Sequence, residues 1–263
     1  MLVEFPKYRR PLNSNQIRLL SLCYKFRFVT VPLLAEYLGK DRSSVYENLY
    51  ILGKQGYVSK SYDSSYRLPG KSARYYLSSK GIRYLRENTE LNQTVLRNMY
   101  KNKSVSEEHI ERCLMVIQIV MAIRRQTKDQ FLLFTRHELA DFDWMVRPLP
   151  DLYLQRKKPK QDQQNYYILD FFHKLMPFYL IKKRVWAHQE QDDEINFADS
   201  ETYPDLLFIV LFKTTEERLC RVASNNSNHF EIYTTMLSRL LNPDSKSSEI
   251  WRDVFEEDEF IKL

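Results

Sequence analysis

Two aspartates in the second half of the chain lie in a sequence pattern that is typical of metal ligands. Asp151 follows Pro150 at the start of one predicted strand, and Asp170 lies near the end of the next, in the run YYILDFF. Carboxylates from adjacent strands can approach one Mg²⁺, a hard cation that prefers oxygen ligands. The pattern therefore raises the hypothesis of a Mg²⁺-dependent DNA nuclease with Asp151 and Asp170 as its catalytic and metal-binding carboxylates.

The lysine that such a nuclease needs is missing from its expected position. A lysine two residues after the second acid would help activate the attacking water and stabilise the developing charge, but Phe172 stands there. Lys174 is displaced along the strand, and Lys182 and Lys183 follow on the predicted next helix. We therefore expect a domain without catalysis and without a cofactor, and we keep a nuclease using Asp151, Asp170 and Lys182 as the alternative.

Other kinds of catalytic site have little support. The histidines and the three cysteines lack zinc spacing, although His173 lies close to Asp170. No nucleophile elbow and no glycine-rich phosphate loop occurs, and the chain has only five glycines. We expect structural or surface roles for the histidines.

A second set of candidate residues lies on a predicted helix near the N-terminus. Asp41 is expected to cap this helix, and Val45, Leu49 and Leu52 recur at i, i+4 and i+7, which turns them inward. In helix-turn-helix proteins the second helix of the pair enters the major groove of DNA. The outward residues are therefore candidates for DNA contact, with the first two the best candidates for base edges: Arg42, Ser43, Tyr46, Glu47, Tyr50 and Lys54.

A basic hairpin, or wing, follows that helix. Residues 57–62 alternate as a strand does, and residues 74–77 pair with them across a connection rich in Ser, Pro and Gly. From residue 54 to residue 86 the chain has eight cations and one acid. Most of these cations should meet phosphates, which position a protein without specifying sequence. They are Lys54, Lys60, Arg67, Lys71, Arg74, Lys80, Arg83 and Arg86.

The charge is distributed unevenly along the chain. Residues 1–103 have 19 Lys and Arg against 7 Asp and Glu, a net charge of +12, whereas residues 104–263 have 21 against 27, a net charge of −6. A cationic first half favours double-stranded DNA as the partner. The alternative is that these charges form a solvated face and that the helix-turn-helix contacts protein.

The periodicities predict an N-terminal winged helix-turn-helix of α+β type, followed by an α/β domain with a central mixed sheet. In the second half a helix begins at Ser106, and the predicted order is helix, three strands, helix, strand, helix, strand, an α/β layout with one central sheet. The first six of these elements are the core of the restriction-endonuclease-like fold. The strands are predicted at 131–134, 152–154, 166–172, 206–212 and 230–233, and the later helices at 177–191 and 214–222. The predicted divisions are a DNA-binding domain at 1–88, a linker at 89–105 and an endonuclease-like domain at 106–263.

Both halves together resemble the replication-relaxation family of plasmid and mobile-element proteins. The residues that carry the resemblance are the runs IRLLSLCYKFRFVTVPLLAEYLG, RSSVYENLYILGKQGYV, ARYYLSSKGIRYL, EEHIERCLMVIQIVMAI, PDLYL and YYILDFF. It implies an accessory DNA-binding protein for replication or transfer of a plasmid, with a relaxase or replication initiator as partner. It does not supply a catalytic residue, and Phe172 departs from the nuclease pattern.

The expected function is thus sequence-directed binding of duplex DNA, and a winged-helix transcriptional regulator with a sensor domain is a further alternative. A homodimer is an alternative to a monomer, because winged-helix proteins often dimerise. No apolar run is long enough for a membrane span or a signal peptide, and three widely spaced cysteines predict a reducing cytoplasm.

Overall fold

The chain folds into two compact units, Met1–Ser104 (unit 1) and Val105–Leu263 (unit 2). The computed structural model describes residues 11–62, 70–159, 164–174, 176–189, 204–224, 231–242, 249–256 and 259–263. In these residues the protein is α+β, with a small antiparallel sheet in unit 1 and a seven-stranded mixed sheet in unit 2.

Unit 1 is built from short helices and one hairpin. Its elements are α1 (Ser14–Phe26), β1 (Val29–Thr30), α2 (Val31–Leu38), α3 (Arg42–Lys54), β2 (Val58–Ser61), β3 (Arg74–Leu77), α4 (Ser79–Asn88) and α5 (Gln93–Met99). These helices begin and end at local signals. Asn13 and Gln16 form a capping box on α1, Thr30 caps α2, and Gly39 ends α2 in the left-handed conformation.

The three strands of unit 1 form one sheet in the order β1-β3-β2. The predicted hairpin is present as the pair β2 and β3, and the short β1, which the sequence did not predict, covers the other edge of β3. The sheet and helices enclose an apolar core that includes Leu20, Phe28, Leu34 and Leu49, each fully buried.

Much of the segment predicted as a linker, residues 89–105, is helical. It contains α5 and a 3-10 helix at Tyr100–Ser104, and Leu96, Met99 and Asn102 are buried. Asn102 accepts a hydrogen bond from Arg27 Nε at 2.7 Å. The linker prediction was wrong for this stretch, because its few apolar residues pack on unit 1 although polar residues surround them in the sequence.

Unit 2 follows the predicted order of elements and extends beyond it. Its elements are α6 (Glu107–Gln126), β4 (Phe131–Thr135), β5 (Leu152–Arg156), β6 (Tyr166–Phe172), α7 (Phe178–Gln189), β7 (Asp205–Val210), α8 (Lys213–Ala223), β8 (Ile232–Met236), α9 (Leu237–Leu241), β9 (Trp251–Asp253) and β10 (Phe260–Ile261). The sequence did not predict the last helix and the last two strands, which are too short for a clear periodicity.

The sheet of unit 2 has the strand order β10-β9-β8-β7-β6-β5-β4. β4, β5 and β6 pair in antiparallel fashion, and β6, β7 and β8 pair in parallel, with α7 and α8 in the crossovers. Every residue of β7 and all but the first of β6 are buried, as expected for parallel strands covered on both faces. The carboxyl end of β6 thereby brings Asp170 into the interior.

Among the described residues, no helix is both long and apolar enough to cross a membrane.

The packing of unit 1 can be tested at the close contact between Gly81 of α4 and Tyr57, the residue before β2. A Cβ at Gly81 would overlap with the carbonyl oxygen of Tyr57, whereas a Cβ at Gly53 on α3 meets nothing within 4 Å. Gly81→Ala should therefore lower the free energy of unfolding by about 1–3 kcal/mol through overpacking. Gly53→Ala should leave it unchanged or raise it by up to ~1 kcal/mol, because alanine favours helix.

Urea unfolding followed by circular dichroism measures both changes. Equal stability of the two variants would contradict this packing of α4 against Tyr57.

Candidate nucleic-acid interface and buried acidic pair

The outer face of α3 includes the six residues that the sequence predicted for DNA contact. Val45, Leu49 and Leu52 are at most 2% exposed and pack inward. The predicted outward orientation of the other residues is confirmed, since all six are exposed: Arg42, Ser43, Tyr46, Glu47, Tyr50 and Lys54. Together they offer hydrogen-bond donors, a carboxylate and two aromatic rings on one helix surface.

Two tyrosines and a lysine on this face are ordered against one another. The Tyr46 and Tyr50 rings stack with their centroids 6.3 Å apart, and Lys54 Nζ lies 5.4 Å from the centroid of the Tyr50 ring. The three residues are spaced four apart and so form one stripe. At the other end of α3, Asp41 occupies the N-cap position as predicted, but its side chain makes no capping hydrogen bond.

The hairpin presents fewer cations than the sequence predicted. Lys60 and Lys71 are exposed, whereas Arg74 is only 1% exposed and is unavailable to a phosphate. The prediction that Arg74 contacts a phosphate was therefore wrong, because its side chain is packed inside unit 1. Arg67 lies outside the described residues.

Lys80 is engaged within unit 1. Its Nζ donates to the carbonyl oxygen of Gln55 at 2.7 Å and lies over the Tyr57 ring. Arg83 and Arg86 on α4 are exposed. The cations of this region that remain at the surface are Lys54, Lys60, Lys71, Arg83 and Arg86.

Asp151 in unit 2 is buried and bound by two arginines. Arg112 Nη2 of α6 lies 2.8 and 2.6 Å from its two carboxylate oxygens, and Arg136 Nη2, just after β4, lies 3.1 Å from Oδ1. The backbone N–H of Phe171 donates to Oδ2 at 2.9 Å. Its carboxylate is therefore fully engaged by protein donors.

Asp170 is equally engaged, by two side chains of α7. Arg184 Nε donates to its Oδ2 at 2.5 Å, His188 Nε2 lies 2.7 Å from the same oxygen, and the backbone N–H of Asp151 donates to Oδ1 at 3.2 Å. Burial alone would raise the pKa of Asp170, but the Arg184 guanidinium and the His188 hydrogen bond hold it well below its usual range. Asp170 is therefore ionised at any physiological pH.

His188 is the neutral partner of this cluster. It is fully buried, burial lowers its pKa, and among the described residues its Nδ1 has no hydrogen-bond partner. A neutral imidazole with its proton on Nε2 fits these observations, because Nδ1 then has no hydrogen left unpaired. The histidine bound to Asp170 is therefore His188, although His173 is closer to it in the sequence.

Two of the lysines that the sequence offered to a nuclease site, Lys182 and Lys174, make no ion pair with the two acids among the described residues, whereas Lys183 lines a cavity together with Asp170. Lys182, the candidate catalytic lysine, has its Nζ 4.2 Å from the centroid of the Trp186 ring, so that prediction was wrong. Lys182 and Arg184 are two residues apart on α7 and face different sides of the helix. Lys174 follows the end of β6 and is exposed, and Phe172 stacks on Phe208 in the core.

The acidic pair does not fit a Mg²⁺ ion. Three guanidinium groups, from Arg112, Arg136 and Arg184, already neutralise the two carboxylates. A divalent cation would have to break these ion pairs, and the positive charge of the arginines would then repel it. Among the described residues, no group of three or more His, Cys, Asp and Glu side chains is placed to hold a metal ion. The arginine-bound carboxylates therefore do not suit a metal-dependent catalytic step.

Sequence reasoning missed the residues that bind the two aspartates. Arg184 and His188 lie four residues apart on the helix that follows β6, and that spacing puts them on one helix face. Arg112 precedes the apolar run of α6, where an arginine resembles an ordinary surface residue at the helix start. Of the four side chains that bind the aspartates, only Arg184 and His188 have a spacing in the sequence that could have identified them as neighbours.

A third buried carboxylate lies at the other end of the sheet. Asp205, at the start of β7, accepts a hydrogen bond from Gln164 Nε2 at 2.8 Å. Burial raises the pKa of Asp205 to about 7, and the nearby carboxylates of Glu231 and Asp253 act in the same direction against the Gln164 hydrogen bond. Within the part of the chain that the structure describes, no cation forms an ion pair with Asp205 of the kind that the arginines form with the acidic pair.

Comparison with models of known protein families, with curated proteins and with solved structures found no match to the chain.

The first prediction for this site concerns the ion pair of Asp170. Arg184→Met leaves a buried carboxylate uncompensated and should lower the free energy of unfolding by about 3–5 kcal/mol. Adding Asp170→Asn should restore much of the loss, because the carboxylate charge is then gone. Lys182→Met on the same helix is the matched control and should change stability little. Denaturant unfolding of the four proteins gives the comparison, and equal effects of the two Met substitutions would contradict the assignment.

The second prediction uses the raised pKa of Asp205. Between the ordinary aspartate pKa of about 4 and the folded value of about 7, the folded protein keeps a proton that the unfolded chain has lost, so this group makes stability fall as pH rises. Asp205→Asn should remove that fall. The difference in free energy of unfolding, variant minus parent, should grow from pH 4 to pH 7 and stay constant above. Parallel pH profiles for the two proteins would show that Asp205 titrates normally.

Proposed function

We propose that this protein binds duplex DNA in a sequence-directed manner through α3 and the β2–β3 hairpin of unit 1. The observation that carries the proposal is the outer face of α3, where all six predicted contact residues are exposed while the inward residues are buried. An α-helix fits the major groove of B-DNA, and the residues at its N-terminal end reach base edges. Arg42 and Ser43 occupy that end.

The topology of unit 1 supports a winged helix-turn-helix. A short β1 between α1 and α2 pairs with β3, and the hairpin of β2 and β3 directly follows α3. In this proposal α2 and α3 are the helix pair and the β2–β3 connection is the wing. The charge of +12 on residues 1–103 favours DNA over a protein partner for this surface.

Exposed cations supply the contacts to the phosphate backbone. Lys54, Lys60, Lys71, Arg83 and Arg86 remain at the surface after the buried Arg74 and the engaged Lys80 are set aside. Such contacts make affinity strongly dependent on salt because they release counterions from the DNA. They give orientation and affinity, and the α3 face gives sequence preference.

For unit 2 we propose a restriction-endonuclease-like domain that has lost nuclease activity. Support comes from the order α6, three antiparallel strands, α7 and the parallel β7, with Asp151 and Asp170 on adjacent strands. The arginines on both carboxylates and the phenylalanine in place of the lysine argue against a Mg²⁺-dependent nuclease. We propose that this protein is not an enzyme.

The biological setting follows from the sequence resemblance alone. We propose an accessory role in replication or transfer of a plasmid or mobile element, with a relaxase or replication initiator as partner. Sequencing the DNA fragments retained by the purified protein in EDTA tests this. Enrichment of transfer or replication origins supports the accessory role, enrichment of promoters supports the transcriptional regulator instead, and no enrichment of any duplex contradicts sequence-directed binding.

The prediction for DNA binding separates base contacts from phosphate contacts. Arg42→Ala and Tyr46→Ala should reduce the affinity ratio between the retained site and a random duplex, because base contacts are each worth about 1–3 kcal/mol of discrimination. Lys60→Ala and Lys71→Ala should weaken binding to both duplexes alike and lower the salt slope by about one unit each. Fluorescence anisotropy over a range of salt concentrations in EDTA measures all four.

Arg125→Ala, an exposed cation at the end of α6 in unit 2, serves as the control and should change neither quantity. Equal losses on both duplexes from all four unit 1 variants would mean that α3 is not the recognition helix.

A further inference from the structure

The arginines that bind the acidic pair also line a cavity in unit 2. Its volume is about 410 Å³, which is within the range of small-molecule sites. Five cationic side chains face it, and Asp170 is the only acid among its lining residues in the part of the chain that the structure describes. The cations are Arg112, Arg136, Arg147, Lys183 and Arg184.

The positive charge of this cavity exceeds what the buried acids neutralise. Two carboxylates, Asp151 and Asp170, engage three guanidinium groups, which leaves one positive charge. Arg147 and Lys183 are both exposed, and within the described residues neither has a carboxylate partner. The cluster therefore has a net charge of +3 around a partly enclosed space.

Hydrogen-bond donors remain for a ligand. Arg112 Nε is buried and has no partner among the described residues. The Arg136 side chain is 40% exposed although one of its nitrogens binds Asp151. Guanidinium groups bind phosphate oxygens in forked pairs, and a lysine adds a point charge.

The other described residues that line the cavity are apolar. They are Pro148, Phe172, Met176, Leu180 and Ala187. Leu180 is 40% exposed, so its side chain is accessible to a ligand. A lining that contains both cations and apolar side chains fits a molecule that is anionic at one end and apolar at the other.

We infer that this cavity is a binding site for a small organic phosphomonoester. The phosphate lies among Arg136, Arg147 and Lys183, and the organic group packs against Met176 and Leu180. A phosphate dianion matches the excess charge better than a single carboxylate does, and its three terminal oxygens accept from donors that approach in different directions. The cavity belongs to unit 2, whereas the proposed DNA surface belongs to unit 1, and the test of the cavity uses no DNA.

Calorimetric titration of the full chain in phosphate-free buffer tests the inference with three probes: phenyl phosphate, inorganic phosphate and benzyl alcohol. Phenyl phosphate should bind one to one and about tenfold more tightly than inorganic phosphate, since its ring buries apolar surface. Benzyl alcohol should show no binding, because it leaves the charge unmatched. Saturation with phenyl phosphate at one site supports the inference, and no saturable binding of it overturns the inference.

Variants locate the bound probe. Arg147→Ala and Lys183→Ala lie outside the ion pairs of the acidic pair, and each should weaken phenyl phosphate about tenfold, the cost of one charged hydrogen bond. Leu180→Ala should weaken phenyl phosphate and leave inorganic phosphate unchanged. Arg125→Ala on α6, away from the cavity lining, is the control and should change neither. Undiminished binding to the double variant of Arg147 and Lys183 would place the anion elsewhere and overturn the inference.

Discussion

The buried carboxylates of Asp151 and Asp170 impose the strongest constraint on unit 2. An ionised group in the interior is stable only when charges and hydrogen bonds compensate its lost hydration. Here the compensation comes from α6 through Arg112, from the turn after β4 through Arg136, and from α7 through Arg184 and His188. Two helices and a turn are thereby fixed to the same end of the sheet.

The same ion pairs decide what chemistry this end of the sheet supports. Two carboxylates alone would attract a divalent cation, but three guanidinium groups reverse the sign of the local charge. Arg147 and Lys183 extend the positive region to the surface. The local charge at this end of the sheet therefore favours an anion over a divalent cation.

In unit 1 the apolar periodicity predicted the exposed residues of a helix better than the charge pattern predicted the exposed cations of the hairpin. The residues on the outer face of α3 follow from helix geometry, because an i, i+4, i+7 apolar stripe leaves one set of positions outside. The hairpin cations were less predictable. Arg74 is buried and Lys80 is held by Gln55, and a run of charged residues in the sequence reveals neither.

The sequence by itself determined the order of the longer helices and strands, the inward and outward faces of α3, the uneven charge and the positions of both aspartates on neighbouring strands. Local periodicity and composition are sufficient for these properties. Only the tertiary structure decided which side chains meet the carboxylates, since Arg112, Arg136, Arg184 and His188 come from three separate elements. It also decided that the segment after α4 packs on unit 1. Contacts between residues far apart in the chain depend on how elements pack, and no local pattern encodes that packing.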